Sequence, residues 1–391
     1  MTTQPWSIGV ITTSRADFGI YRSVLEALAA APDMDYGLFV SGMHLSPEFG
    51  LTAKLVEESG HPVWDNVEGL MSSDSEVGIA KSMGLTTLGF ADAFARRRPD
   101  ALIILGDRFE MHAAALAALP FRIPLAHIHG GEETEGAIDN VLRHSLTKLS
   151  NIHFPATELS ARRIRAMGEG ADRVVVSGAP ALDGLEKIPF LSRDELARRF
   201  NLPEVGPFIL ATYHPVTLEP ERSFAELDAL WQAVRDDPEP IVFTRANADT
   251  AGRAVNQKLE AFVSERPDRT YLVGTMGAQG YFSAMRAASV MVGNSSSGIL
   301  EAASFDLPVV NIGDRQSGRE RSTNVIDVNG DEAAIRAALA EARSPTLQAR
   351  AKASKNVYGD GNAASRIVAG LRTFLEADHG VAKAFSLSEG Q

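Results

Sequence analysis

Short, unbroken runs of apolar residues alternate with helix-length amphipathic segments along most of the chain. An apolar run without alternation is typical of a strand buried on both faces, and strands separated by helices indicate a parallel sheet covered by helices. The first series of predicted strands is Ile8–Thr12, Tyr36–Val40, Ala101–Leu105, Leu125–Ile128 and Val174–Val176. The second series is Phe208–Thr212, Pro240–Thr244, Thr270–Val273, Val290–Val292 and Val309–Ile312. We therefore expect an α/β fold with two Rossmann-like domains and a cleft between them.

The segments between these strands have the spacing of amphipathic helices. The predicted helices are Ile20–Ala30, Ser46–Glu58, Met111–Ala118, Ser160–Met167, Phe224–Arg235, Gln279–Ala287, Gly298–Ala303, Glu332–Ala342 and Ala363–Ala377. A length of 391 residues exceeds the roughly 250–300 residues at which single cores stop growing, which favours two domains. We place the first domain at residues 1–178, the second at 179–360 and a terminal helix at 361–378, with Gly178–Phe190 as the junction.

The composition excludes several classes of site and disfavours several kinds of partner. Cysteine is absent, which excludes disulfides, thiolate catalysis and cysteine-bound metals and fits a reducing compartment. A net charge of −12 opposes binding to nucleic acid. No apolar stretch reaches the about 18 residues of a membrane span, and the N-terminus lacks the features of a signal peptide. We expect a cytoplasmic protein whose partners are neither nucleic acids nor membranes.

Polar motifs follow the predicted strands, and ligands of open parallel sheets bind beyond the carboxyl ends of the strands. After the first strand, Arg15, Ala16 and Asp17 begin a helix that either holds a phosphate or forms a plain turn. No G-x-G-x-x-G pattern accompanies them, so a dinucleotide cofactor is not indicated. Asp107 and Arg108 follow the apolar strand Ala101–Leu105. There they either act on a ligand or close the loop as an ion pair.

An acid–base cluster follows the next predicted strand. His129 and Glu132 come directly after Leu125–Ile128, and Asp139 and Arg143 lie a few residues further on. The His-x-His pattern with nearby carboxylates is compatible with a metal site. Proton transfer by a carboxylate or an imidazole is the interpretation we favour, and we assign no metal ligand. Asp139 and Arg143 are also spaced for a structural ion pair one helical turn apart.

The second series of strands carries its own polar motifs. His214 ends the first of these strands, in a position equivalent to that of Asp107. Asn247 follows the next strand, in a turn that either contacts a base or ribose or bonds its own backbone.

A glycine- and serine-rich segment follows Val290–Val292. The hydroxyls and amides of Ser295, Ser296 and Gly298 predict a nest for phosphate oxygens at a helix start. The alternative is that one serine simply caps the helix. Glu301, one to two turns into that helix, is placed to reach ribose hydroxyls, and Arg315 follows the next strand as a cation for a diphosphate.

In their order along the chain, these motifs resemble the hydrolysing UDP-N-acetylglucosamine 2-epimerase family, one of the glycosyltransferase-B-like epimerases. The segments that carry the resemblance are TSRADFG, SGMHLSPEFG, LGDRFE, AHIHGGE, RHSLTK, YHPVT, NADT, GNSSSG and NIGDRQSGR. The resemblance extends from about Ile8 to near Ala377 and implies that the last helix crosses back onto the first domain. It also implies a homodimer or homotetramer, no cofactor, and a substrate that is a UDP- or GDP-linked sugar.

The resemblance implies roles for single residues. Asp107, Asp139 and Arg143 inherit catalytic or substrate-positioning roles, and His214 inherits a place near the diphosphate or the leaving oxygen. The residues that inherit nucleotide contacts are Arg15, Ala16, Arg108, Asn247, Met276, Ser295, Ser296, Glu301 and Arg315. The family eliminates the nucleoside diphosphate to give a 2-acetamidoglycal, and water then adds to release a free mannose-configured sugar, as in sialic or legionaminic acid synthesis.

One position departs from much of the family. Many members have glutamate where this chain has His129, and that glutamate is a leading acid–base candidate. Glu132, Asp139 or His129 itself can take its role, since imidazole titrates near neutrality. A non-hydrolysing epimerase, a glycosyltransferase of the same architecture and a nucleotide-sugar-binding regulator remain alternative functions.

Overall fold

Each half of the chain contains one six-stranded sheet in which all paired strands are parallel. The computed structural model describes residues 4–71, 73, 75–133, 138–204, 206–215, 220–246, 252–377 and 381–385. The chain divides into one unit of Met1–Glu186 with Tyr358–Gln391 and a second unit of Lys187–Val357.

The strands of the two sheets follow the chain in order. The first sheet contains β1 (Trp6–Thr12), β2 (Met34–Ser41), β3 (Val63–Val67), β4 (Ala101–Leu105), β5 (Leu125–Ile128) and β6 (Ile152–Phe154). The second contains β7 (Ile209–Thr212), β8 (Ile241–Thr244), β9 (Thr270–Val273), β10 (Val290–Gly293), β11 (Val309–Ile312) and β12 (Val325–Val328). Their orders are β3-β2-β1-β4-β5-β6 and β12-β11-β10-β7-β8-β9. Each is the Rossmann order 3-2-1-4-5-6, which confirms the predicted pair of Rossmann-like domains.

Helices connect these strands. In the first unit they are α1 (Arg15–Ala29), α2 (Ala53–Glu58), α3 (Glu76–Arg96), α4 (Phe109–Ala118), α5 (Asp139–Leu149) and α6 (Glu158–Ala166). In the second they are α7 (Arg193–Phe200), α8 (Pro220–Val234), α9 (Gly252–Glu265), α10 (Gly277–Ala287), α11 (Ser296–Leu300), α12 (Glu332–Ala342) and α13 (Pro345–Lys352). No helix of the described ranges is long and apolar enough to cross a membrane.

The last helix, α14 (Ala363–Glu376), belongs to the first unit and packs on α1. Asp183 accepts hydrogen bonds from the backbone amides of Ala363 and Ala364 at 2.8 and 2.7 Å, and so caps the start of the helix. Near its end, Arg372 donates two hydrogen bonds to Asp33. The apolar face of α14 completes the core that also contains β1 and β2.

The strand order explains why the polar motifs gather. The order reverses between β1 and β4 in the first sheet and between β7 and β10 in the second. Ligands of such sheets bind at this switch point, beyond the carboxyl ends of the strands. The segments that leave these four strands begin at Thr13, Gly106, Tyr213 and Asn294.

One predicted strand is wrong. Val174–Val176 forms only a single bridge, from Val174 to His153, although the Val175 amide donates to the His153 carbonyl at 2.9 Å. The next ladder bond would need an amide hydrogen from Pro155, which proline lacks. The segment therefore lies along β6 without becoming a strand.

Some predicted helices have different bounds. The predicted helix Ser46–Glu58 is a 3-10 turn, Pro47–Phe49, followed by α2, because Gly50 and Leu51 have φ values of 84° and 48°. The helix predicted from Gly298 to Ala303 is α11, which begins two residues earlier and passes into a 3-10 turn at Ala302–Phe305.

Candidate functional site

The loop after β1 is built around Asp17. Its buried carboxylate accepts hydrogen bonds from the hydroxyls of Thr12, Thr13 and Ser14 at 2.5, 2.6 and 3.0 Å, and from the Thr13 amide at 3.1 Å. These donors belong to the end of β1 and to the loop itself. Asp17 therefore holds the loop in shape, as in the plain-turn interpretation of its sequence. The adjacent Arg15 and Ala16 are exposed at the start of α1, where helix amides lack intrahelical partners.

Arg108, after β4, is held by Glu110, which is not among the predicted site residues. The guanidinium donates to both carboxylate oxygens of fully buried Glu110, at 2.7 and 3.1 Å. Burial lowers the pKa of Arg108, but the charges of Glu110, Asp17 and Asp139 outweigh it and raise that pKa. Arg108 is therefore a fixed cation in the loop after β4. The spacing of an acid two residues after an Arg was the signal for Glu110.

His127 has a structural function. Its Nε2 lies 2.8 Å from the carbonyl oxygen of Gly106, so that nitrogen carries the proton and donates it. Burial lowers the pKa of His127 to about 3, which keeps the ring neutral. The bond ties β5 to the Gly106 turn, where φ is +69°, immediately before Asp107. His127 thus positions Asp107. In the described part of the chain, no cluster of three or more His, Asp or Glu residues forms a candidate metal site.

Arg143 connects the loops after β4 and β5. Its guanidinium forms an ion pair with the Asp107 carboxylate and donates to the Glu132 carbonyl at 2.9 Å and to Asn140 at 3.2 Å. The side chain of Arg143 is buried, whereas Asp107 is partly exposed. The structure thus gives Arg143 an acidic partner outside its own helix, which the spacing of Asp139 and Arg143 did not predict. Arg143 therefore fixes the loops that carry Asp107 and Glu132 relative to each other.

His129 adopts an uncommon backbone conformation. Its φ is +62°, in the left-handed region that costs most non-glycine residues about 1–3 kcal/mol. Its Nδ1 lies 2.5 Å from Glu132 Oε1, and both side chains are mostly buried. This contact pairs an imidazole with a carboxylate and leaves Nε2 as the second nitrogen of the ring. The pair has the composition of a general acid–base unit.

The start of α5 carries the remaining acid. Asp139 is the first residue of the helix and is half-buried. The neighbouring acid Glu133 accepts a hydrogen bond from Asn140 at 2.7 Å and lies 3.2 Å from His144. The first unit thus brings Asp107, Glu132 and His129 into one hydrogen-bonded cluster through Arg143, with Asp139 one turn before that arginine.

In the second unit, most of the predicted site residues lie after β7, β10 and β11, and Met276 lies after β9. The backbone amide of His214 donates to the Asn294 side-chain oxygen at 2.7 Å, and the Asn294 side-chain nitrogen donates to the His214 carbonyl at 2.8 Å. Asn294 is fully buried, and its own carbonyl accepts from Arg315 at 3.0 Å and Gln316 at 2.9 Å. Asn294 is not among the predicted site residues. Its position directly after a buried strand was the available signal.

The predicted phosphate nest has a short helix behind it. Ser295 is the N-cap of α11 and accepts from the Ser297 amide at 3.3 Å, while Ser296 begins the helix. Gly298 packs close to β11, where a Cβ would lie 2.9 Å from a Val309 methyl group. Because α11 has only five residues, its dipole is small, so the predicted nest depends on the local amides and hydroxyls rather than on the helix dipole.

Glu301 lies at the end of α11. Burial raises the pKa of Glu301 to about 7, although Ser297 and Arg319 act in the opposite direction. No residue of the described ranges forms a hydrogen bond with its buried Oε2. Met276 is buried at the residue before α10. Asn247 lies outside the described residues.

Comparisons with known proteins identify the family of the chain. Residues 26–372 match the family model described as UDP-N-acetylglucosamine 2-epimerase. The UDP-N,N'-diacetylbacillosamine 2-epimerase (hydrolyzing) of Legionella pneumophila is 36% identical over 364 residues, 93% of this chain and 94% of its own. The GDP/UDP-N,N'-diacetylbacillosamine 2-epimerase (hydrolyzing) of Campylobacter jejuni is 36% identical over 321 residues, 82% of this chain and 83% of its own.

A solved structure shares the fold. The UDP-GlcNAc 2-epimerase of Neisseria meningitidis, bound to UDP-GlcNAc, has a TM-score of 0.78 at 17% sequence identity. The match covers 94% of this chain and 100% of that one. At 17% sequence identity, this similarity shows a shared fold and nothing about shared residues.

Proposed function

Since the chain belongs to the UDP-N-acetylglucosamine 2-epimerase family, we propose that it is a hydrolysing nucleotide-sugar 2-epimerase. The observation that carries the proposal is the cluster of Asp107, Glu132 and His129 held together by Arg143 at the carboxyl ends of β4 and β5. Such a cluster supplies the proton acceptors and the positive charge that an elimination next to an anionic leaving group requires.

The proposed reaction has two steps. A base removes the proton from C2 while the C1–O bond breaks, and the nucleoside diphosphate leaves with the bonding electrons, which gives a 2-acetamidoglycal. Water then adds its hydroxyl to C1, and a proton returns to C2 from the opposite face. The products are a free mannose-configured 2-acetamido sugar and the nucleoside diphosphate, and no cofactor takes part.

The residues of the first unit handle protons in this proposal. His129 is one candidate proton carrier. The Glu132 carboxylate binds its Nδ1 and thereby orients the ring for proton exchange at Nε2. Asp139 is the alternative carrier at the start of α5. Asp107 and Arg143 position the sugar and balance charge, and Arg108 adds a fixed cation.

The residues of the second unit hold the nucleotide in this proposal. Ser295, Ser296 and Gly298 bind phosphate oxygens, and His214 with Arg315 stabilises the charge of the departing diphosphate. The buried Glu301 carboxylate accepts hydrogen bonds from the ribose hydroxyls. This assignment is supported by Glu301 Oε2, which forms no hydrogen bond with any described residue. We also assign nucleotide contacts to Met276 and, in the first unit, to Arg15 and Ala16.

The names of two relatives support a proposal for the substrate class. Two relatives, each 36% identical to this chain, are named as hydrolysing 2-epimerases of nucleotide-linked N,N'-diacetylbacillosamine. We therefore propose a UDP- or GDP-linked 2,4-diacetamido sugar as the substrate, with UDP-N-acetylglucosamine as the simpler alternative. The free product then serves the synthesis of acidic sugars of the sialic or legionaminic type.

The test is a product analysis in deuterated water. We expect the protein to release nucleoside diphosphate and a free sugar that carries deuterium at C2, and to prefer one of UDP-diacetylbacillosamine, GDP-diacetylbacillosamine and UDP-N-acetylglucosamine. An Asp107→Asn variant, prepared in the same way, should lose about 10²-fold or more of the turnover and thus excludes a contaminating enzyme. A C2-deuterated sugar that stays on UDP would indicate a non-hydrolysing epimerase, and binding of UDP without turnover would indicate a regulator.

We also propose that the protein forms a homo-oligomer. Exposed apolar side chains lie on α3, α4 and α5 of the first unit, helices that pack side by side. The exposed residues are Val77, Ile79, Leu85, Leu88, Leu116, Val141 and, just before α5, Ile138. Exposed apolar side chains on neighbouring helices are candidates for protein–protein contacts, and a second copy is the occupant that a homodimer or homotetramer requires.

A further inference from the structure

We propose that Asn294 is a positioning residue that sets His214 and Arg315 for the diphosphate of the substrate. The roles of His214 and Arg315 rest on the function proposed above. The role of Asn294 rests on its own contacts in the second unit. Asn294 itself touches neither the sugar nor the phosphate in this proposal.

The first observation is that one side chain holds both backbone groups of His214. Asn294 Oδ1 accepts from the His214 amide at 2.7 Å, and Asn294 Nδ2 donates to the His214 carbonyl at 2.8 Å. A pair of bonds of this kind reproduces the contact of a neighbouring strand beyond the end of β7. It fixes the direction in which the His214 backbone presents its imidazole.

The second observation is that the main chain of the same residue holds the loop after β11. The Asn294 carbonyl accepts from Arg315 Nη1 at 3.0 Å and from Gln316 Nε2 at 2.9 Å. Its amide donates to the Thr212 carbonyl at 3.1 Å. Asn294 thus connects the ends of β7, β10 and β11, which are adjacent strands in the sheet.

The chemistry of the side chain explains why an amide is needed here. Asn294 is fully buried, so water does not replace a lost bond. Aspartate has the same shape but only acceptor oxygens when ionised, and one of them would face the His214 carbonyl. An unmet buried carbonyl and an unpaired buried charge are both costly, so the backbone of His214 would move away.

The residues on either side of Asn294 also depend on its position, and we call Asn294 with its hydrogen bonds the anchor. Gly293 has φ +132°, and a Cβ there would overlap the Thr212 carbonyl, so the backbones of β7 and β10 approach closely just before the anchor. Ser295, the first residue of the proposed phosphate nest, follows Asn294 directly. A shift of Asn294 therefore displaces the histidine, the arginine and the nest together.

The test compares Asn294→Asp with Asn324→Asp in the full-length protein. Asn324 is also fully buried in the second unit, and its side chain donates to the Leu307 carbonyl at 2.7 Å, so the control introduces the same buried carboxyl group elsewhere. We expect Asn294→Asp to lower kcat/KM by about 10²-fold and to weaken UDP binding about tenfold, while Asn324→Asp changes either by less than about threefold. Equal kinetic effects of the two variants would overturn the proposal.

A pH series separates positioning from a general loss of structure. When the carboxyl group introduced by Asn294→Asp is protonated, it has one O–H donor, which restores the bond to the His214 carbonyl. The ratio of the wild-type kcat/KM to that of Asn294→Asp should therefore become smaller as the pH falls. A loss that stays constant with pH would count against the proposal.

A readout without substrate keeps the proposal testable if the assigned reaction is wrong. Hydrogen exchange at the His214 amide should speed up at least about tenfold in Asn294→Asp and stay unchanged in Asn324→Asp. If Asn294→Asp does not fold, Asn294→Ser provides the same comparison, because its shorter side chain lacks the amide donor. Unchanged exchange at His214 would contradict the positioning role, whereas an inactive wild type with the expected exchange would contradict only the proposed function.

Discussion

At the scale of single residues, Glu301 has a buried carboxyl group whose environment changes its protonation. Burial raises the pKa of its carboxyl to about 7, well above the ordinary value of 4.5. Between these two values the folded protein holds a proton that the unfolded chain has released. The stability contributed by that proton is present below about pH 4.5 and is lost as the pH rises through 7.

We expect nucleotide binding near pH 7 to release protons from Glu301. Ribose hydroxyls that donate to the carboxylate favour its ionised form and lower its pKa. Calorimetry of UDP binding in buffers with different ionisation enthalpies measures the release. Glu301→Gln should abolish it and weaken UDP binding about tenfold, or about 1.4 kcal/mol. Equal proton release by the wild type and the variant would remove Glu301 from the ribose site.

The predictability of site residues depends on where their partners lie. Asp107 and His214 stood out because each follows an apolar strand, and a local pattern is sufficient for that inference. Asp17 stood out for the same reason, but its carboxylate is occupied by its own loop. Asn294 could not be assigned, since its partner His214 is 80 residues away and only the sheet brings them together.

At the scale of elements, α5 is held at both ends. Its start carries Asp139 and Arg143, and its end is contacted by the C-terminal segment Val381–Phe385. Lys383 donates to the Ser150 carbonyl at 2.7 Å and to the Glu169 carboxylate at 2.7 Å. Burial favours the neutral form of Glu169, but hydrogen bonds from His153, Lys148 and Lys383 lower its pKa to about 2.

We expect Lys383→Met to lower the free energy of unfolding of the first unit by about 1–3 kcal/mol. Loss of one partner from a buried ion pair costs about 3–5 kcal/mol, and Lys148 here retains part of the compensation. Urea unfolding followed by fluorescence in a Trp231→Phe background reports on this unit through Trp6 and Trp64. Lys355→Met, at an exposed lysine of the second unit, is the control. An unchanged midpoint for Lys383→Met would show that the C-terminal segment does not stabilise α5.

Strands with buried apolar runs were predictable, and so was the edge strand β9 (TYLV), whereas the edge strands β3 and β12, which contain an acidic residue, were not. β4, β5 and β11 have the predicted bounds because each is a fully buried and largely apolar run inside its sheet. β3 (VWDNV) and β12 (VIDV) were missed because both are edge strands with polar residues that face solvent. β6 was missed because it has only three residues, with His153 in the middle.

At the scale of the whole molecule, the exposed apolar residues of α3, α4 and α5 predict self-association. Leu88 is 67% exposed and Val141 is 68% exposed, and burial of such side chains in a second copy stabilises an oligomer. We expect Leu88→Glu to convert the oligomer to a monomer in sedimentation equilibrium. Leu55→Glu, at a 46% exposed leucine on α2, should leave the mass unchanged. A monomeric wild type, or an oligomer that survives Leu88→Glu, would contradict the assignment of this surface.

The repeated strand order has a consequence for engineering the chain. In both sheets the residues that meet ligands in our proposals come after the last hydrogen-bonded strand position, so they can be exchanged without changing a strand register. A library confined to residues 15–16, 107–108, 214–215 and 295–297 would vary both halves at equivalent points of one scaffold and would leave the structural residues Asp17, Gly106 and Asn294 unchanged. New sugar preferences and new nucleotide preferences could then be selected separately and combined afterwards.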